Sequence, residues 1–396
     1  MRNFSKKSSN TVSVKKSDII TMKKTAPSEN RFLIIMAGGR GERFWPVSRE
    51  KTPKQLVTLL GGRSLLQQAV ERVLPLVPLR NILIITNAAQ APEVRRQLPK
   101  LPAENIIAEP VGRDTCAAVT LGAAVAGQRS TSAVMAVLPA DHVISEEKKF
   151  QQVLADSFDL AGRGQVIVTI GIKPTEPATG YGYIRVGPPL PPPQGLKPYK
   201  TAFFKAEQFV EKPDFDTALG YVNGGRHRWN AGMFIWSFVT ITQGLEKHQP
   251  ELAAACQRWF KAAGTDRLAK VLAAEYPGLK KISIDYALME HAHNVVVADG
   301  AFAWDDLGSW TALGRHLKPD AEGNCAAGDF IHVDGARNII FDARTKHRAP
   351  IAVVGLRDSI LVLADDAVLL AHKNQAQKVK DLVKKLSEDK RYKKLV

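Results

Sequence analysis

The residues with the clearest chemical potential lie in one short segment near the start of the chain. The sequence FLIIMAGGRGERFWPVSREKTPKQL, residues 32–56, places glycines at positions 38, 39 and 41 directly after an apolar run, followed by Arg43 and Lys54. Glycine has no side chain, so its backbone N–H groups are accessible to phosphate oxygens, and two nearby cations would neutralise phosphate charge. The segment therefore predicts a triphosphate site, with a tight turn that binds nothing as the alternative.

The elements that must position this segment follow from the apolar pattern of the first half of the chain. Short β-branched runs at residues 32–36, 81–86, 133–139 and 165–172 alternate with helical stretches. This alternation predicts a parallel sheet with helices on both faces, in which ligands bind beyond the carboxyl ends of the strands. Both the glycine segment and the sequence ADH, residues 140–142, follow such a strand. We therefore expect them to face one crevice.

The second half of the chain has a different composition. The sequence TGYGYIRVG predicts a strand or hairpin, and PPLPPPQG at residues 188–195 predicts a surface loop. Beyond Leu317, short apolar segments closed by Gly, Asp or Asn predict a small β-rich appendage, and a basic amphipathic pattern predicts a terminal helix. We therefore predict a disordered basic leader (1–30), a main α/β domain (31–317), a β-rich C-terminal domain (318–372) and a basic C-terminal helix (373–396).

The net charge of +16 is concentrated at the two ends of the chain. Residues 1–30 hold seven Lys/Arg and two Asp/Glu, and residues 371–396 hold nine and three. The ends therefore carry +11 of the net charge, and the remainder of the chain carries only +5. We expect solvated basic tails, with contact to nucleic acid or acidic lipid as the alternative.

Composition limits the class of protein. A hydrophobic fraction of 45% and a charged fraction of 24% are ordinary for a globular protein. No apolar run approaches the roughly 18 residues of a membrane span, and the N-terminus lacks the apolar centre of a secretory signal. Cys116, Cys256 and Cys325 form no CxxC pair, which argues against a disulfide framework or a zinc site. These features predict a cytoplasmic protein.

Five motifs, in order along the chain, resemble a known family. The pattern AGGxGxRxxPxSxxxxPKxL, from Ala37 to Leu56, resembles the signature of sugar-1-phosphate nucleotidylyltransferases. The blocks AEPVGRDT, LPADHVI, FVEKP with WNAGMF, and FAWDDLGSW follow, and they are most similar to the mannose-1-phosphate guanylyltransferase branch. The resemblance covers residues 31–370 approximately. It implies a Rossmann-like (GT-A-like) nucleotidyltransferase domain, with a mixed, mostly parallel sheet and helices on both faces, and a β-helix-like C-terminal appendage.

The resemblance also implies a reaction. In that reaction GMP is transferred from GTP to α-D-mannose 1-phosphate, giving GDP-mannose and pyrophosphate, with Mg²⁺ or another divalent cation as cofactor. GTP and mannose 1-phosphate are the implied partners, with neither nucleic acid nor a membrane. Some relatives carry a fused phosphomannose isomerase domain, and we expect this chain to be monofunctional because it ends at residue 396. The oligomeric state is left open, with a homodimer packed through the appendage as one alternative.

The resemblance assigns roles to individual residues. Asp141 follows an apolar strand, where a carboxylate suits a hard divalent cation, and a helix N-cap is the alternative. The resemblance gives the metal to Asp141 and Asp306, and Asp305 remains an alternative second ligand. The implied catalytic residues are Arg43, Lys54, Asp141, Lys212 and Asp306, and the implied nucleotide-binding residues are Ala37, Gly38, Gly39, Gly41, Glu109, Gly112 and Arg113.

The sugar side is implied by three further segments. Glu211 and Lys212 are neighbours on a stretch that we expect to be extended, so their side chains should point to opposite faces and should not form an ion pair. The resemblance gives sugar hydroxyls to Glu211, the sugar phosphate to Lys212 and a sugar contact to Asn230. Gly180 and Tyr181 fit a wall of the sugar pocket, or an ordinary turn with a core aromatic ring.

One departure from the family pattern concerns the nucleotide. Many members read GRNT where this chain has GRDT, residues 112–115. Asp114 keeps a hydrogen-bond acceptor but loses the amide donor, so the nucleotide contacts of this block stay open. A structural role for Asp114 and Thr115 at the start of the next helix is an equal alternative.

Three other functions are compatible with parts of the sequence. The nearest is the same reaction with glucose 1-phosphate and UTP or dTTP. A non-catalytic sugar-nucleotide sensor would keep the fold, although retention of Arg43, Lys54, Asp141 and Asp306 argues against it. A nucleic-acid-binding module driven by the basic tails would show strongly salt-dependent binding.

Overall fold

The apolar runs predicted as buried strands form the centre of a nine-stranded mixed sheet. The computed structural model describes residues 29–192, 197–346 and 349–396, so the predicted leader lies outside the described residues except for its last two positions. The strands are β1 (Arg31–Met36), β2 (Ile82–Asn87), β3 (Ile106–Glu109), β4 (Val134–Pro139), β6 (Ile167–Ile172), β7 (Tyr183–Pro189), β8 (Phe203–Val210), β9 (His227–Ser237) and β10 (Val295–Asp299), while β5 (Val143–Ile144) and β11 (Trp304–Asp305) form a separate antiparallel pair.

The strand order places the predicted ligand segments side by side. The order is β3-β2-β1-β4-β9-β6-β10-β8-β7, and β8 and β9 run against the other seven strands. β1 lies between β2 and β4 and is parallel to both, with Met36 level with Ile85 and Pro139. The glycine segment and Asp141 therefore emerge at the same edge of the sheet, where open α/β sheets bind ligands.

Helices cover both faces because each buries one apolar stripe against the sheet. No helix within the described residues has the length and apolar character needed to cross a bilayer. One face carries α3 (Asp114–Arg129), α6 (Phe238–His248), α7 (Pro250–Ala262) and α8 (Arg267–Glu275), and the other carries α1 (Leu65–Val73), α2 (Ala91–Gln97), α4 (Glu147–Arg163) and α5 (Phe215–Gly224).

The C-terminal appendage is a β-helix-like coil, as the sequence predicted. Buried Asn324 and Asn338 link successive turns, since Asn338 Nδ2 donates to Asn324 Oδ1 at 3.0 Å and Asn338 Oδ1 accepts from Ser359 N at 3.1 Å. Parallel pairing joins β12 to β14, β14 to β16, and β13 to β15, and β17 closes the larger sheet in antiparallel fashion. Their bounds are β12 (Cys325–Ala327), β13 (Phe330–Val333), β14 (Ile339–Asp342), β15 (Ile351–Val354), β16 (Ser359–Leu363) and β17 (Val368–His372).

The C-terminal segment differs from the predicted helix and from a solvated tail. The regular helix α10 spans only Val379–Glu388, after a 3₁₀ segment at Lys373–Lys378, because the backbone becomes extended at Asp389. Val379 and Val383 on this helix are buried, in one apolar cluster with Phe44 of the glycine motif. The expectation of a solvated C-terminal tail was therefore wrong for α10.

One apolar core joins the main domain to the appendage. Trp310, on the short helix α9 (Trp310–Gly314), is fully buried, with its ring 5.0 Å from Phe44 and 5.2 Å from Phe341. The Trp310 indole N–H donates to the Trp45 carbonyl at 3.1 Å. Phe44 and Trp45, which follow the glycine segment, thus pack together with residues of the appendage.

The shared core can be tested by removing its central ring. Trp310→Ala should lower the free energy of unfolding by about 3–5 kcal/mol, because it leaves a cavity between the two parts of the chain. Guanidinium denaturation followed by circular dichroism measures this change. Val354, which is 78% exposed on β15, is the control, and Val354→Ala should change stability by less than about 0.5 kcal/mol. Equal effects of the two substitutions would contradict the shared core.

Candidate active site

Buried amide side chains hold the carbonyl groups of the glycine segment. Gln55 Nε2 donates to the carbonyls of Ala37 (3.0 Å) and Gly39 (3.1 Å), and Gln90 Nε2 donates to the carbonyl of Gly39 (3.2 Å). Within the described part of the chain, the backbone N–H groups of residues 38–41 have no hydrogen-bond acceptor. These N–H groups therefore remain available to phosphate oxygens.

Gly41 fixes the glycine segment against the backbone of Lys54. Its φ of +63° lies in the left-handed region, and a Cβ built on Gly41 would lie 2.5 Å from Lys54 N. The Ser48 hydroxyl donates to the Gly41 carbonyl at 2.7 Å and holds the turn from the other side. Glycine satisfies both the backbone angle and the close approach.

The Lys54 ammonium joins three segments that are far apart in the sequence. Its Nζ lies 3.0 Å from Asp141 Oδ2, and it donates to the carbonyls of Asp306 and Leu307 at 2.9 Å each. Burial by itself would raise the pKa of Asp141, but the nearby Lys54 and His142 outweigh burial and lower it. Asp141 is therefore held as a carboxylate at the edge of the sheet.

The structure separates the roles of the two adjacent aspartates in FAWDDLGSW. Asp305 is buried, and its oxygens accept hydrogen bonds from Leu307 N (2.8 Å), Arg315 Nε (2.9 Å) and His316 Nε2 (3.1 Å). Burial opposes these bonds, but together they lower the pKa of Asp305. Asp305 therefore acts as an anchor of its own loop.

Asp306 lies close to the segment that contains Asp141. Asp305 pairs with Val143 across β5 and β11, which brings the next residue, Asp306, level with the chain that follows Asp141. Asp306 Oδ1 accepts a hydrogen bond from the Tyr181 hydroxyl at 2.9 Å. This geometry favours Asp306 over Asp305 as the partner of Asp141.

A cavity of about 270 Å³ lies on one side of Asp141, and we call it the Arg43 cavity. Arg43 lines it, and Arg43 Nη1 donates to the Gly308 carbonyl at 3.3 Å. The cations that line it outnumber the carboxylates, so it favours an anionic ligand. Its charged lining residues are Arg40, Arg43, Lys54 and Lys380, with Glu42 and Asp141.

A second cavity, of about 370 Å³, lies on the other side of Asp141, and we call it the Glu109 cavity. Gly38, Gly39 and Gly112 contribute to its lining. Burial raises the pKa of the Glu109 carboxyl to about 7, although the Tyr276 hydroxyl, which donates to Glu109 Oε1 at 2.5 Å, opposes this shift. Glu109 thus combines a near-neutral pKa with a position in a cavity.

The block AEPVGRDT has structural contacts as well as cavity contacts. Arg113 lines the Glu109 cavity, and its guanidinium donates to the carbonyls of Tyr276 and Pro277. Asp114 has a φ of +66°, and its Oδ1 accepts from Thr115 N at 2.8 Å. Thr115 Oγ1 in turn accepts from Ile284 N at 2.8 Å. The predicted structural role of Asp114 and Thr115 at the start of α3 agrees with these bonds.

The predicted sugar residues form a third group near Asp306. The Tyr181 ring packs edge-on against Trp229 and Trp304, at centroid distances of 5.0 and 5.3 Å, while its hydroxyl reaches Asp306. No atom lies within 4 Å of a Cβ built on Gly180, so the backbone there borders open space. The Tyr181 ring therefore lines the open space next to the Asp306 carboxylate.

Asn230 and Asp285 form a polar pair in this third group. Asn230 Nδ2 donates to Asp285 Oδ1 at 2.7 Å, and burial raises the pKa of Asp285. Asp285 also lines the Glu109 cavity. A Cβ on Gly182 would lie 2.7 Å from Glu211 Oε2, so the Glu211 carboxylate lies directly against the Gly182 backbone.

The expectation that Glu211 and Lys212 point to opposite faces was wrong. The two side chains form an ion pair between Lys212 Nζ and Glu211 Oε1. The physical reason is that β8 ends at Val210 and Lys212 has a φ of +45°, so the chain turns there and is not extended. The Lys212 side chain is 60% exposed.

Asp141 lines both the Arg43 cavity and the Glu109 cavity, so it marks the point where they meet. The two cavities therefore both lie against the Asp141 side chain. The predicted residues divide between Gly41, Arg43 and Lys54 in the first cavity, Gly38, Gly39, Glu109, Gly112 and Arg113 in the second, and Tyr181, Glu211 and Asn230 in the third group.

Comparison with known proteins identifies the family. Residues 33–322 match the model described as nucleotidyl transferase, and residues 328–386 match that of the MannoseP isomerase/GMP-like beta-helix domain. The chain belongs to the nucleotidyl transferase family. The family resemblance and the fold class predicted from the motifs are confirmed.

Individual proteins similar to this nucleotidyl transferase support the family assignment. The chain is 37% identical over 359 residues to the xanthan biosynthesis protein XanB of Xanthomonas campestris, covering 89% of this chain and 72% of that protein. It is 36% identical over 365 residues to the mannose-1-phosphate guanylyltransferase of Escherichia coli, covering 91% and 74%. A crystal structure from Thermus thermophilus, named mannose-1-phosphate geranyltransferase, has a TM-score of 0.77 at 35% identity, covering 90% and 99%.

Four residues of this site were not among those predicted from the sequence. Gln55 and Gln90 hold the glycine segment but carry no charge and belong to no separate motif. Asp285 opens a π-helical turn, Asp285–Met289, and its position as an acid inside the apolar sequence ISIDYALME was a usable signal. Lys380 is one of nine cations at the C-terminus, so its position in a cavity was not visible in the sequence.

The close contact at Gly41 predicts a specific loss of binding. Gly41→Ala should weaken nucleoside triphosphate binding about tenfold or more, or about 1.4 kcal/mol, because its Cβ would displace Lys54. Gly62→Ala is the matched control, since Gly62 has a φ of +74° and no atom within 4 Å of a built Cβ. Calorimetric titration with nucleoside triphosphates should show normal affinity in the control. Equal losses in both variants would contradict the role given to the contact.

Proposed function

We propose that the protein transfers GMP from GTP to α-D-mannose 1-phosphate and releases pyrophosphate. The observation that carries this proposal is the arrangement around Asp141, which links an anion-binding cavity to a cavity with a carboxylate at its wall. The similarity to the E. coli mannose-1-phosphate guanylyltransferase supports this choice of substrates.

The reaction makes one bond and breaks one bond at the α-phosphorus of GTP. A phosphate oxygen of mannose 1-phosphate attacks in line, the bond from the α-phosphorus to the bridging oxygen of the β-phosphate breaks, and pyrophosphate leaves. The chain forms no covalent intermediate in this scheme. Its contribution is to position two anions against each other and to neutralise the charge that develops.

We assign a different phosphate group to each cation of the site. We assign the β- and γ-phosphates to Arg43 and the backbone N–H groups of residues 38–41. Lys54 supports the α-phosphate, since its ammonium is already fixed between Asp141 and the carbonyls of the 306–307 segment. Lys212 binds the incoming sugar phosphate, and its exposed ion pair with Glu211 opens at little cost when both side chains exchange partners.

We propose that the carboxylates of Asp141 and Asp306 would hold a divalent cation. Hard cations such as Mg²⁺ bind one or two carboxylates together with phosphate oxygens, and Asp306 has one oxygen bound by Tyr181. When bound, the cation would neutralise phosphate charge during the displacement. The Lys54 contact keeps Asp141 deprotonated and oriented for this role, and Tyr181 orients Asp306.

The separate roles of Asp306 and Asp305 give a direct test. Asp306→Asn should lower turnover by about 100-fold or more with an unchanged melting temperature, since it removes a ligand charge that the fold does not need. Asp305→Asn should instead lower the melting temperature, because it weakens the buried pairing with Arg315 and His316. Pyrophosphate release and thermal melting measure the two effects. Near-normal turnover in Asp306→Asn would exclude the proposed metal site.

The Glu109 cavity supports recognition of guanine. The Watson–Crick edge of guanine presents two adjacent donors, N1–H and the N2 amino group, and an ionised carboxylate accepts from both. Glu109 Oε1 already accepts from Tyr276, and its other oxygen lies 3.2 Å from a Cβ built on Gly38, beside the glycine segment. We therefore propose that Glu109 accepts hydrogen bonds from guanine while the glycine segment binds the phosphates.

The pKa of Glu109 makes this proposal testable by pH. Because burial raises that pKa to about 7, the carboxyl is protonated below this value, and one of its oxygens then becomes a donor and no longer accepts from guanine. The KM for GTP should therefore rise by up to about tenfold for each pH unit below about 7, and level off above it. Glu109→Gln controls for titration of the GTP phosphate and should flatten the profile. A parallel rise in the variant and the parent would contradict the assignment.

Three further expectations remain proposals. Cys116, Cys256 and Cys325 are free thiols, which supports a cytoplasmic location. The division into a nucleotidyltransferase domain, a β-rich domain and a C-terminal helical segment at residues 31–317, 318–372 and 373–396 follows the change from one sheet to the other. The homodimer stays a prediction.

A further inference from the structure

The C-terminal helix is anchored on the segment that carries the catalytic cations. Val379 and Val383 of α10 are buried in the same apolar cluster as Phe44 and Trp45. Beyond the helix, the Leu395 carbonyl accepts a hydrogen bond from Trp45 Nε1 at 2.7 Å. Both the helix and the chain after it are therefore fixed against the glycine motif.

This anchoring places Lys380 at the Arg43 cavity. Lys380 directly follows the buried Val379, and its exposed side chain lines the cavity together with Arg43, Lys54 and Asp141. Among the described residues beyond position 308, α10 is the only segment that contributes to this lining. The active-site wall is thus completed by the part of the chain predicted to be a solvated tail.

A neighbouring cavity of about 440 Å³ extends from the Arg43 cavity along α10. Arg40, Glu42 and Lys380 line both cavities, so the two are adjacent. Lys384, one helical turn after Lys380 and on the same side of α10, lines the outer cavity. The cations of α10 therefore extend outward from the phosphate site.

Lys380 differs from some other cations that line these two cavities, because no carboxylate in the described part of the chain pairs with its ammonium. Arg49 pairs with Asp366 at 2.8 Å, and Arg40 lies 3.6 Å from Glu42. Among the residues that the structure describes, no carboxylate lies within ion-pair distance of Lys380. Its ammonium is free to bind an anion without breaking an existing pair.

We propose that Lys380 is a phosphate-binding residue of the active site, contacting the β- and γ-phosphates of the nucleotide and then the departing pyrophosphate. This inference rests on the proposed nucleotidyl transfer. In that reaction pyrophosphate gains the negative charge of the broken P–O bond, so a cation on the outer side of the Arg43 cavity stabilises the leaving group. Lys384, further along α10, lies on the path by which pyrophosphate leaves.

The test compares Lys380→Ala with Lys385→Ala, which removes the same charge from an exposed position of α10 outside both cavities. Calorimetric titration with inorganic pyrophosphate should give about tenfold weaker binding in Lys380→Ala and unchanged binding in Lys385→Ala. The KM for GTP should rise in the same proportion, while the KM for mannose 1-phosphate stays constant. Both side chains are exposed, so thermal melting should be unaffected.

The two readouts separate this inference from the proposed function. Weaker pyrophosphate binding in Lys380→Ala supports the inference even if no sugar phosphate is turned over by the parent protein. An active parent with identical pyrophosphate affinity in Lys380→Ala and Lys385→Ala overturns the inference and leaves the nucleotidyl transfer intact. An equal rise of both KM values in Lys380→Ala would also overturn it, because that pattern indicates a general disturbance of the site.

Discussion

The position of the Lys54 ammonium is the constraint on which the rest of the site depends. One cation contacts the Asp141 carboxylate and the carbonyls of Asp306 and Leu307, so it sets the distance between the ends of two segments from different parts of the chain. Its own backbone is in turn held by the close approach of Gly41. Because Lys54 is only 12% exposed, these contacts are poorly screened and strongly directional. The Asp141 carboxylate and the backbone of Asp306 are therefore held on one cation before any ligand binds.

The same region connects catalysis to the stability of the C-terminal appendage. Phe44 and Trp45 follow the glycine segment directly and pack against Trp310 and α10. Loss of packing in the appendage would therefore shift the segment that carries Arg43 and Lys54. This coupling gives the β-helix-like appendage a physical role in the active site, in addition to any role in assembly.

Much of the fold could be predicted from the sequence, because buried parallel strands are continuous apolar runs and the ends of such strands are where ligands bind. The placement of the glycine segment and of Asp141 at one edge of the sheet was predictable for that reason. Contacts that depend on local backbone turns were not predictable. Lys212 has a positive φ, so the chain turns there and its side chain pairs with Glu211, whereas in an extended strand the two side chains would point to opposite faces. The choice between Asp305 and Asp306 required the hydrogen bonds of Arg315 and His316, and the place of α10 required the packing of Val379 and Val383.

Pyrophosphate release by the purified 396-residue chain with Mg²⁺ is the direct test of the proposed reaction. Mannose 1-phosphate and glucose 1-phosphate would each be combined with GTP, UTP, dTTP, ATP and CTP. We expect strong release with mannose 1-phosphate and GTP, and weak release when guanine is replaced. Release with a different nucleotide would contradict the base recognition assigned to Glu109. No release from any pair, by a folded protein saturated with Mg²⁺, would contradict the proposed reaction itself.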